Sequence, residues 1–486
     1  MPLLSYPAAL ALHARRDPGR VAVVCAGESL TREALDRRSS RLARAYAERG
    51  VGEGDRVVIA LGNSIAFCEA AFATWKLGAV PTPISAALPE RERTALLELA
   101  DPALVVGVAP EASAGRPGLP PGFEPGPALS DAPLPDRTSP HCQAIASGGS
   151  TGRPKLIVDA NPARCDPHEA QYGRPPEAAV LVPGPLHHTG PFMVMRMTFL
   201  GGGQVILMPR FDASLALELI ERHRVAWVNF VPTMMQRIWR LPAAEREARD
   251  LSSLHVVMAS GAPCPAWLKR AWIEWLGAER IWEAYGGTER IGGTAISGSE
   301  WLLHPGSVGR PTGGRKLRIQ AEDGRELGPG EVGEVYFMPP GGPGSTYRYV
   351  GAEARSAADG WETLGDLGYV DEAGFLYLVD RRTDMIVTGG ANVYPAEVEA
   401  ALDAHPRVRS SAVIGLPDDD LGQRVHAIVE AVPPLDEAEL RRHLAEHLAR
   451  SKVPRSFEFV DEPLRDDAGK VRRSALREAR LGRLAG

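Results

Sequence analysis

The first hundred residues of the chain alternate between two kinds of segment. Short runs rich in β-branched residues, such as RVAVVCAG (20–27) and DRVVIALG (55–62), lie on either side of LTREALDRRSSRLARAYAERG (30–50), in which apolar residues recur at helical spacing. Strands that alternate with helices fold into βα units, and the strands of such units form a largely parallel sheet. The alternation therefore predicts an α/β fold.

The same alternation returns after an irregular stretch rich in Pro, Gly and Ala at 109–140. The segment ASLALELIERHR (213–224) predicts a helix, whereas VAWVNFVP (225–232) and LHVVMASGAP (254–263) predict strands. The α/β pattern therefore continues well beyond the irregular connection.

A change of composition near residue 380 predicts a domain boundary. A Gly-rich region of short strands ends there, and a compact αβ pattern follows, in which Pro395 opens a predicted helix at its first turn. We predict a large N-terminal α/β domain of several subdomains at 1–382, which binds ATP and the acyl group. A small, mobile C-terminal α+β domain follows at 383–486.

Composition and charge argue against several classes of protein. The 486 residues carry a net charge of -6, unlike the basic surfaces that bind nucleic acid. There is no run of eighteen apolar residues that could span a membrane, and the start of the chain does not resemble a signal peptide. The five cysteines form no CxxC pair, which disfavours a structural zinc or a disulfide framework. We expect a cytoplasmic protein.

A Gly/Ser-rich segment, SGGSTGRPK (147–155), is the first candidate for chemistry. Its glycines allow backbone N–H groups to converge on phosphate oxygens, the hydroxyl groups add further donors, and Lys155 adds a positive charge. The segment lacks the GxxxxGK[ST] spacing of a Walker A loop. Taken alone, it could also be a flexible turn.

Four further segments accompany this loop, and together the five resemble the motifs of the adenylate-forming superfamily of acyl-CoA synthetases, adenylation domains and luciferases. They occur in the family's order and extend over nearly the whole chain. Among the members of this family, the motifs are most similar to those of the coumarate, medium-chain and bile-acid CoA ligases. The segments after the phosphate loop are YGGTE (285–289), TLGDLG (363–368), DRRTDMIVTGG (380–390) with NVYPAE (392–397), and DAGK (467–470).

The resemblance implies an AMP-forming reaction in which a carboxylate attacks the α-phosphorus of ATP and pyrophosphate leaves. Both reactants are anionic, so the site must supply cations and oriented donors. Thr288 would hydrogen-bond the α-phosphate, and Glu289 would hold Mg²⁺, a hard cation that prefers oxygen ligands. Lys470 would bridge the acyl carboxylate and the α-phosphate, and His188 would lie beside that carboxylate. These four are the implied catalytic residues.

The resemblance also implies a binding site for ATP. Asp366 would accept both ribose hydroxyls with help from Arg381, and the loop 261–263 would form a wall of the adenine slot. The full set of residues implied to bind ATP is Ser147, Gly148, Gly149, Ser150, Thr151, Gly152, Lys155, Gly261, Ala262, Pro263, Glu283, Ala284, Tyr285, Gly286, Thr288, Asp366 and Arg381.

The acyl group is expected in a roomy apolar pocket suited to an aromatic, medium-chain or polycyclic acid. Methionines near this pocket are pliable, although methionines at such spacing more often belong to the core. His187 could take the place assigned to His188. The residues implied to bind the acid are His188, Thr189, Gly190, Val231, Met235, Ser260, Gly286 and Gly287.

Gly389 and Gly390 resemble the segment that guides pantetheine toward the adenylate, which favours a thiol acceptor without separating coenzyme A from a carrier protein. No carrier domain lies in this sequence, so coenzyme A is the expected acceptor. A carrier-protein thiol, an amine, or nitrite in the diazotisation of an aryl amine remain alternatives. Thr383, followed by Asp384, occupies the position at which the family carries its hinge residue. A small carboxylic acid, ATP and coenzyme A are the expected partners, and a homodimer stays open.

Two other interpretations fit the sequence less well. His443, Glu446 and His447 fit the HxxEH pattern of zinc peptidases, but the surrounding arginines indicate the solvated face of a polar helix. A binding-only scaffold is disfavoured because Lys470 and Glu289 are both present.

Overall fold

The computed structural model describes residues 3–148, 154–169, 173–382, 384–388, 391–418, 420–466 and 469–484. Its strands, numbered in chain order, are β1 Leu4–Ser5, β2 Val21–Cys25, β3 Glu28–Thr31, β4 Arg56–Ile59, β5 Val80–Pro83, β6 Leu104–Val106, β7 Gly118–Leu119, β8 Ala144–Gly148, β9 Pro154–Asp159, β10 Arg164–Cys165, β11 Ala179–Val182, β12 Gln204–Leu207, β13 Trp227–Phe230, β14 Val256–Ala259, β15 Ile281–Gly286, β16 Gly293–Ser297, β17 Arg310–Pro311, β18 Lys316–Gln320, β19 Gly333–Met338, β20 Tyr347–Val350, β21 Glu362–Val370, β22 Leu376–Arg381, β23 Ile386–Thr388, β24 Ala391–Val393, β25 Val408–Asp418, β26 Gly422–Ala431 and β27 Ser456–Val460.

The α-helices in the same ranges are α1 Tyr6–Arg16, α2 Arg32–Ala47, α3 Ile65–Lys76, α4 Glu90–Ala100, α5 Thr189–Leu200, α6 Ala213–His223, α7 Pro232–Trp239, α8 Ala243–Glu247, α9 Ala266–Leu276, α10 Gly298–Leu303, α11 Pro395–Asp403, α12 Glu437–His447 and α13 Arg473–Leu484. Each helix in the described part of the chain is too short or too polar to cross a lipid bilayer.

The largest sheet among the described residues has nine strands, in the order β17-β16-β15-β14-β13-β11-β12-β2-β3. Its centre, from β15 to β2, is parallel. Parallel strands that are covered on both faces consist mostly of consecutive apolar residues, because every side chain is buried. Val256–Ala259 (VVMA) is such a strand, since it is buried at all four positions. The predicted α/β fold is confirmed.

One apolar core lies on each face of this sheet. The first core joins the sheet to the parallel sheet β5-β4-β6-β7 and includes α3, which is buried at almost every position. The second core is formed with α6, α7 and α9. Helix α6 begins where the side chain of Asp212 accepts the N–H of Leu215, which satisfies an N–H that has no partner within the helix. The predicted helix at 213–224 is therefore present.

Smaller sheets adjoin the large one. Strands β18, β19, β21 and β22 form an antiparallel sheet, and β20, β9 and β8 form another. The order β20-β9-β8 places β20 directly beside the strand that carries Lys155.

The C-terminal part forms a smaller α+β unit with its own core. Strands β25, β26 and β27 form its sheet, and α11 and α12 pack against it. Pro395 is the first residue of α11, as predicted, because its missing N–H has no partner in a first helical turn. The arrangement of a large N-terminal and a small C-terminal domain agrees with the prediction.

Several contacts join the two parts of the chain. Arg240, at the end of α7, donates to the carbonyl oxygen of Arg409 at 3.1 Å and to that of Val408. A Cβ on Gly469 would lie 2.9 Å from the hydroxyl oxygen of Thr233. The C-terminal turn that carries Lys470 is therefore packed directly on the start of α7.

Candidate active site

The candidate site lies at the carboxyl ends of β13, β14 and β15, where loops leave the parallel sheet. Ligands of open α/β sheets bind at this edge. The loop after β14 begins with Ser260 and Gly261, and β15 runs into the segment 285–289. The edge therefore brings together two of the segments singled out in the sequence, the loop 261–263 and the segment 285–289.

Asp366 is the centre of the first polar cluster. The hydroxyl of Tyr285 donates to one oxygen of its carboxylate at 2.5 Å, and Nε of Arg381 lies 3.3 Å from the other. Asp366 and Arg381 are direct partners in the pairing of β21 with β22. Burial, together with the carboxylate of Asp366, raises the pKa of Tyr285, so the phenol remains a donor. These three predicted ATP-binding residues are in contact.

Glu289 is the centre of the second cluster. It is buried, and one of its carboxylate oxygens accepts a hydrogen bond from the hydroxyl of Tyr349 at 2.6 Å. The ammonium group of Lys155 lies 3.5 Å from the same oxygen and 4.0 Å from the centre of the Tyr349 ring. A Cβ on Gly287 would lie 2.8 Å from the other oxygen, so glycine leaves room for this carboxylate. Lys155 and Glu289, two residues of the implied ATP site, are therefore in contact.

Tyr349 is not among the residues that the sequence motifs imply. The residue lies on β20, sixty positions from Glu289, and meets it because β20 pairs with β9. The alternation in YRYV is a local signal for a strand, but it does not show which strand is the partner.

A second missed contact supports the same turn. Arg290 has a left-handed backbone, with φ of 57°, and its guanidinium lies 2.7 Å from the carboxylate of Asp159 on β9. Arg290 offsets the burial of Asp159 and lowers the pKa of that carboxyl. This ion pair ties the residue after Glu289 to the strand that carries Lys155.

Helix α5 begins at the same edge of the sheet, and the region between this helix, the clusters around Asp366 and Glu289, and Lys470 is called the cleft below. His188 is its N-cap, and the hydroxyl of Thr189 donates to the hydroxyl oxygen of Thr288 at 2.9 Å. The rings of His187 and His188 lie 4.3 Å apart between centroids. Burial, then the neighbouring His187 and Lys470, lower the pKa of His188 to about 3. His188 is therefore a neutral imidazole at physiological pH.

The loop predicted to flank adenine, 261–263, follows β14. Gly261 has φ of 85°, a left-handed conformation that glycine adopts without strain, and a Cβ there would lie 3.3 Å from Val231. Glu283 lies on β15, the strand next to β14. It is buried and accepts a hydrogen bond from the fully buried Lys269 at 2.8 Å. Burial raises the pKa of Glu283, and Lys269 opposes that rise. The carboxylate of Glu283 is thus engaged in the interior, and its contact with ATP stays a prediction.

Lys470 follows a tight turn whose N-terminal residue is Asp466. The carboxylate of Asp466 accepts the N–H of Lys470 at 2.9 Å, and Gly469 has φ of 74°. The lysine side chain remains open to solvent in the cleft. The surrounding protein lowers its pKa, and nearby Arg381 adds to this effect, whereas Asp466 and Glu289 oppose it. Lys470 therefore lies within electrostatic reach of both polar clusters and of His188.

Some predicted residues are placed elsewhere or cannot be placed. Met235 is fully buried in the second core, so its role in binding the acid stays a prediction. In the HxxEH pattern, His443 contacts the carbonyl oxygen of Ala401 at 2.9 Å, and His447 contacts that of His443 at 2.8 Å. Ser147 and Gly148 end β8, opposite Lys155 and Pro154. Gly149, Ser150, Thr151, Gly152, Thr383, Gly389 and Gly390 lie outside the described residues.

The fold and the site are those of a nucleotide-binding enzyme with a small C-terminal domain, and comparison with known proteins agrees. Residues 10–349 match the model of the AMP-binding enzyme family, and residues 397–470 match that of the AMP-binding enzyme C-terminal domain. The chain belongs to the AMP-binding enzyme family, the adenylate-forming superfamily.

Three similar proteins cover nearly the whole chain. A feruloyl-CoA synthase from an Amycolatopsis species is 35% identical over 483 residues, which is 96% of each chain. The fatty acid–[acyl-carrier-protein] ligase ScoC of Streptomyces coeruleorubidus is 31% identical over 96% of this chain and 94% of that protein. The o-succinylbenzoate CoA synthetase (MenE) of Bacillus subtilis, in complex with its acyl-adenylate intermediate OSB-AMP, superposes with a TM-score of 0.84 at 26% identity. That match covers 98% of this chain and 99% of the solved one.

Proposed function

We propose that this protein is an ATP-dependent carboxylic acid–CoA ligase that forms an acyl-adenylate and releases AMP. One observation carries the proposal: Lys470, from the C-terminal domain, lies in a cleft with neutral His188 and with the clusters around Glu289 and Asp366. A cation placed there faces the point at which a carboxylate and a phosphate must meet. The similarity to a feruloyl-CoA synthase supports the same activity.

Each polar group of the site has a separate role in the first half-reaction, the formation of the acyl-adenylate. Two anions repel each other, so the ammonium group of Lys470 is required to hold the carboxylate against the α-phosphate. Because the pKa of His188 is about 3, its imidazole adds no second charge. It instead orients the carboxylate by packing and hydrogen bonding. Thr288, held by Thr189, offers a hydroxyl to the α-phosphate.

The residues present also fit the remainder of Mg²⁺-ATP. Glu289 supplies one carboxylate, and Mg²⁺ in nucleotide sites is held by one or two carboxylates together with phosphate oxygens. The bound metal would neutralise phosphate charge. Asp366, oriented by Tyr285 and Arg381, presents a carboxylate suited to two ribose hydroxyls. The loop 261–263 would flank the adenine.

The second half-reaction would transfer the acyl group to the thiol of coenzyme A. We infer that the domains meet at 382–383 and that the residues after this point rotate once pyrophosphate has left. This brings the segment at Gly389 and Gly390 to the adenylate. The similarity to a fatty acid–[acyl-carrier-protein] ligase keeps a carrier-protein thiol as the alternative acceptor. Such an enzyme would act in the cytoplasm, either as a monomer or as a homodimer.

The test is a panel of aryl, acyl and steroid carboxylic acids incubated with the purified protein, Mg²⁺ and ATP, with and without coenzyme A. We expect acid-dependent exchange of pyrophosphate into ATP, and AMP together with an acyl-CoA mass when coenzyme A is present. AMP formation from no acid in the panel would overturn the proposal and direct attention to nitrite. Adenylate without any thioester would instead point to a carrier protein or an amine as acceptor.

A further inference from the structure

Two adjacent strands end in a pair of polar side chains on one face of the sheet. The pairing of β13 with β14 places Asn229 beside Met258. Ser260, which follows β14 directly, is the next residue on the same face as Met258. Trp282 of β15 is the partner of Met258, so its ring belongs to the same face. Side chains two positions apart along a strand share a face. Asn229 and Ser260 therefore stand on the face that belongs to the first core, at its carboxyl edge.

Asn229 and Ser260 are bonded to each other. The serine hydroxyl oxygen lies 2.7 Å from the amide nitrogen of Asn229 and 2.7 Å from its amide oxygen. Both residues are only partly buried. An amide and a hydroxyl together hold more donors and acceptors than one mutual contact uses. Among the described residues their side chains bond to no other group, so they keep hydrogen-bonding capacity for a ligand.

The pair lies below the place where the acyl carboxylate is expected. Val231 is two positions beyond Asn229 on the same face, and its side chain is 3.4 Å from where a Cβ of Gly469 would stand. Gly469 precedes Lys470 directly. A strand rises about 3.3 Å per residue, and Asn229 precedes Val231 by two residues. Asn229 therefore lies roughly 7 Å further along the strand, away from the turn that carries Lys470.

We propose that Asn229 and Ser260 select aryl carboxylic acids that carry a hydroxyl or amino group at the end distant from the carboxylate. The inference rests on the proposed function, whose acyl site it makes more specific. The flat ring of Trp282, which is only partly buried, favours an aromatic ring beside the pair. A substituent that both donates and accepts matches an amide next to a hydroxyl. An unsubstituted ring would instead leave these polar groups without partners.

The alternative is that the pair merely braces the ends of β13 and β14. A brace would affect stability and would change the turnover of all acids to a similar extent. A recognition element would change the ratio between two acids that differ only in the polar substituent, because a buried polar group left unpaired discriminates strongly. The ratio of kcat/KM values therefore separates the two roles.

The experiment uses two matched pairs of acids whose lengths bracket the expected distance: 4-hydroxycinnamate with cinnamate, and 4-hydroxybenzoate with benzoate. Acid-dependent pyrophosphate exchange is measured for the wild type, Asn229→Leu, Ser260→Ala and the control Ser253→Ala. The Ser253 hydroxyl donates to the carbonyl oxygen of Val225 at 2.9 Å. Val225 lies just before the amino end of β13, the strand that carries Asn229.

We expect the wild type to prefer the hydroxylated member of at least one pair by about tenfold or more in kcat/KM. Asn229→Leu and Ser260→Ala should each reduce that ratio, and the leucine variant should bring it to one or below. Ser253→Ala should leave the ratio unchanged. Equal use of both members by the wild type, or a ratio that the two site variants do not alter, would overturn the inference. Failure of every acid in every protein would instead count against the ligase activity itself.

Discussion

The carboxylate of Asp380 accepts a hydrogen bond from the backbone N–H of Ala396 at 2.9 Å. Asp380 lies near the end of β22, before the proposed domain boundary, and Ala396 lies in the first turn of α11, after it. The first N–H groups of a helix have no partner within the helix, and they attract a carboxylate. Asp380 thus ties the two sides of the boundary in the orientation that places Lys470 in the cleft.

This contact predicts a pH-dependent stability. Burial raises the pKa of Asp380 from 3.8 to about 6. Between these values the folded protein holds a proton that the unfolded chain has released, so folded stability falls as pH rises from about 4 to 6. At 1.36 kcal/mol per pKa unit the loss is at most about 3 kcal/mol.

Asp380→Asn cannot ionise, so its melting temperature relative to the wild type should increase between pH 4 and 7. The measurement is the Tm of both proteins across this range. Asp403, with a pKa also raised to about 6, titrates in both proteins and cancels in the comparison. Parallel Tm curves would show that Asp380 does not titrate in this window.

Lys470→Ala should abolish most of the adenylation half-reaction while the protein still folds and binds ATP. The charge of Lys470 is needed chiefly as the new bond to phosphorus forms, so the loss should appear in turnover, at about 100-fold or more. Pyrophosphate exchange gives the rate, and equilibrium binding of ATP gives the affinity. Lys316→Ala, a substitution at an exposed lysine on β18, is the matched control. A loss below threefold at Lys470 would remove this lysine from the mechanism.

Tyr349→Phe should raise the Mg²⁺ concentration needed for half-maximal adenylation. The substitution removes the 2.6 Å hydrogen bond that orients the carboxylate of Glu289, while the ring still packs against Lys155. Partners that orient a metal ligand typically contribute about 10-fold or more to metal affinity or activity. The control is Tyr369→Phe, since Tyr369 stacks on Tyr377 in a different sheet. An unchanged Mg²⁺ requirement would mean that Glu289 does not depend on Tyr349.

Arg240→Ala should slow adenylation several-fold without slowing thioester formation from a supplied acyl-adenylate. The guanidinium of Arg240 donates to two carbonyl groups of the C-terminal domain, and a net contribution of about 1 kcal/mol corresponds to about a fivefold change in rate. Arg237→Ala, at an exposed position on the same helix, is the control. Equal losses in both half-reactions would indicate a general loss of structure rather than a shift between two domain orientations.

Local patterns predicted what depends on neighbours in the sequence. β-branched runs indicated the central strands, and Pro395 indicated the start of α11. The partners Tyr349 and Asp159 were not predicted, because each meets the 285–290 turn only through the register of strands far apart in the chain. Periodicity also could not decide whether Met235 belongs to a pocket or to the core, since both demand apolar residues at the same spacing.

The contact between Lys155 and Glu289 has a thermodynamic consequence for the binding of Mg²⁺ and ATP. Each group neutralises the other in the free site, with 3.5 Å between the ammonium nitrogen and the carboxylate oxygen. When Glu289 turns to a divalent cation, Lys155 is released for a phosphate, and when Lys155 turns to a phosphate, Glu289 is released for the cation. The two ligands therefore bind cooperatively, and linkage requires that the factor by which Mg²⁺ tightens ATP equals the factor by which ATP tightens Mg²⁺.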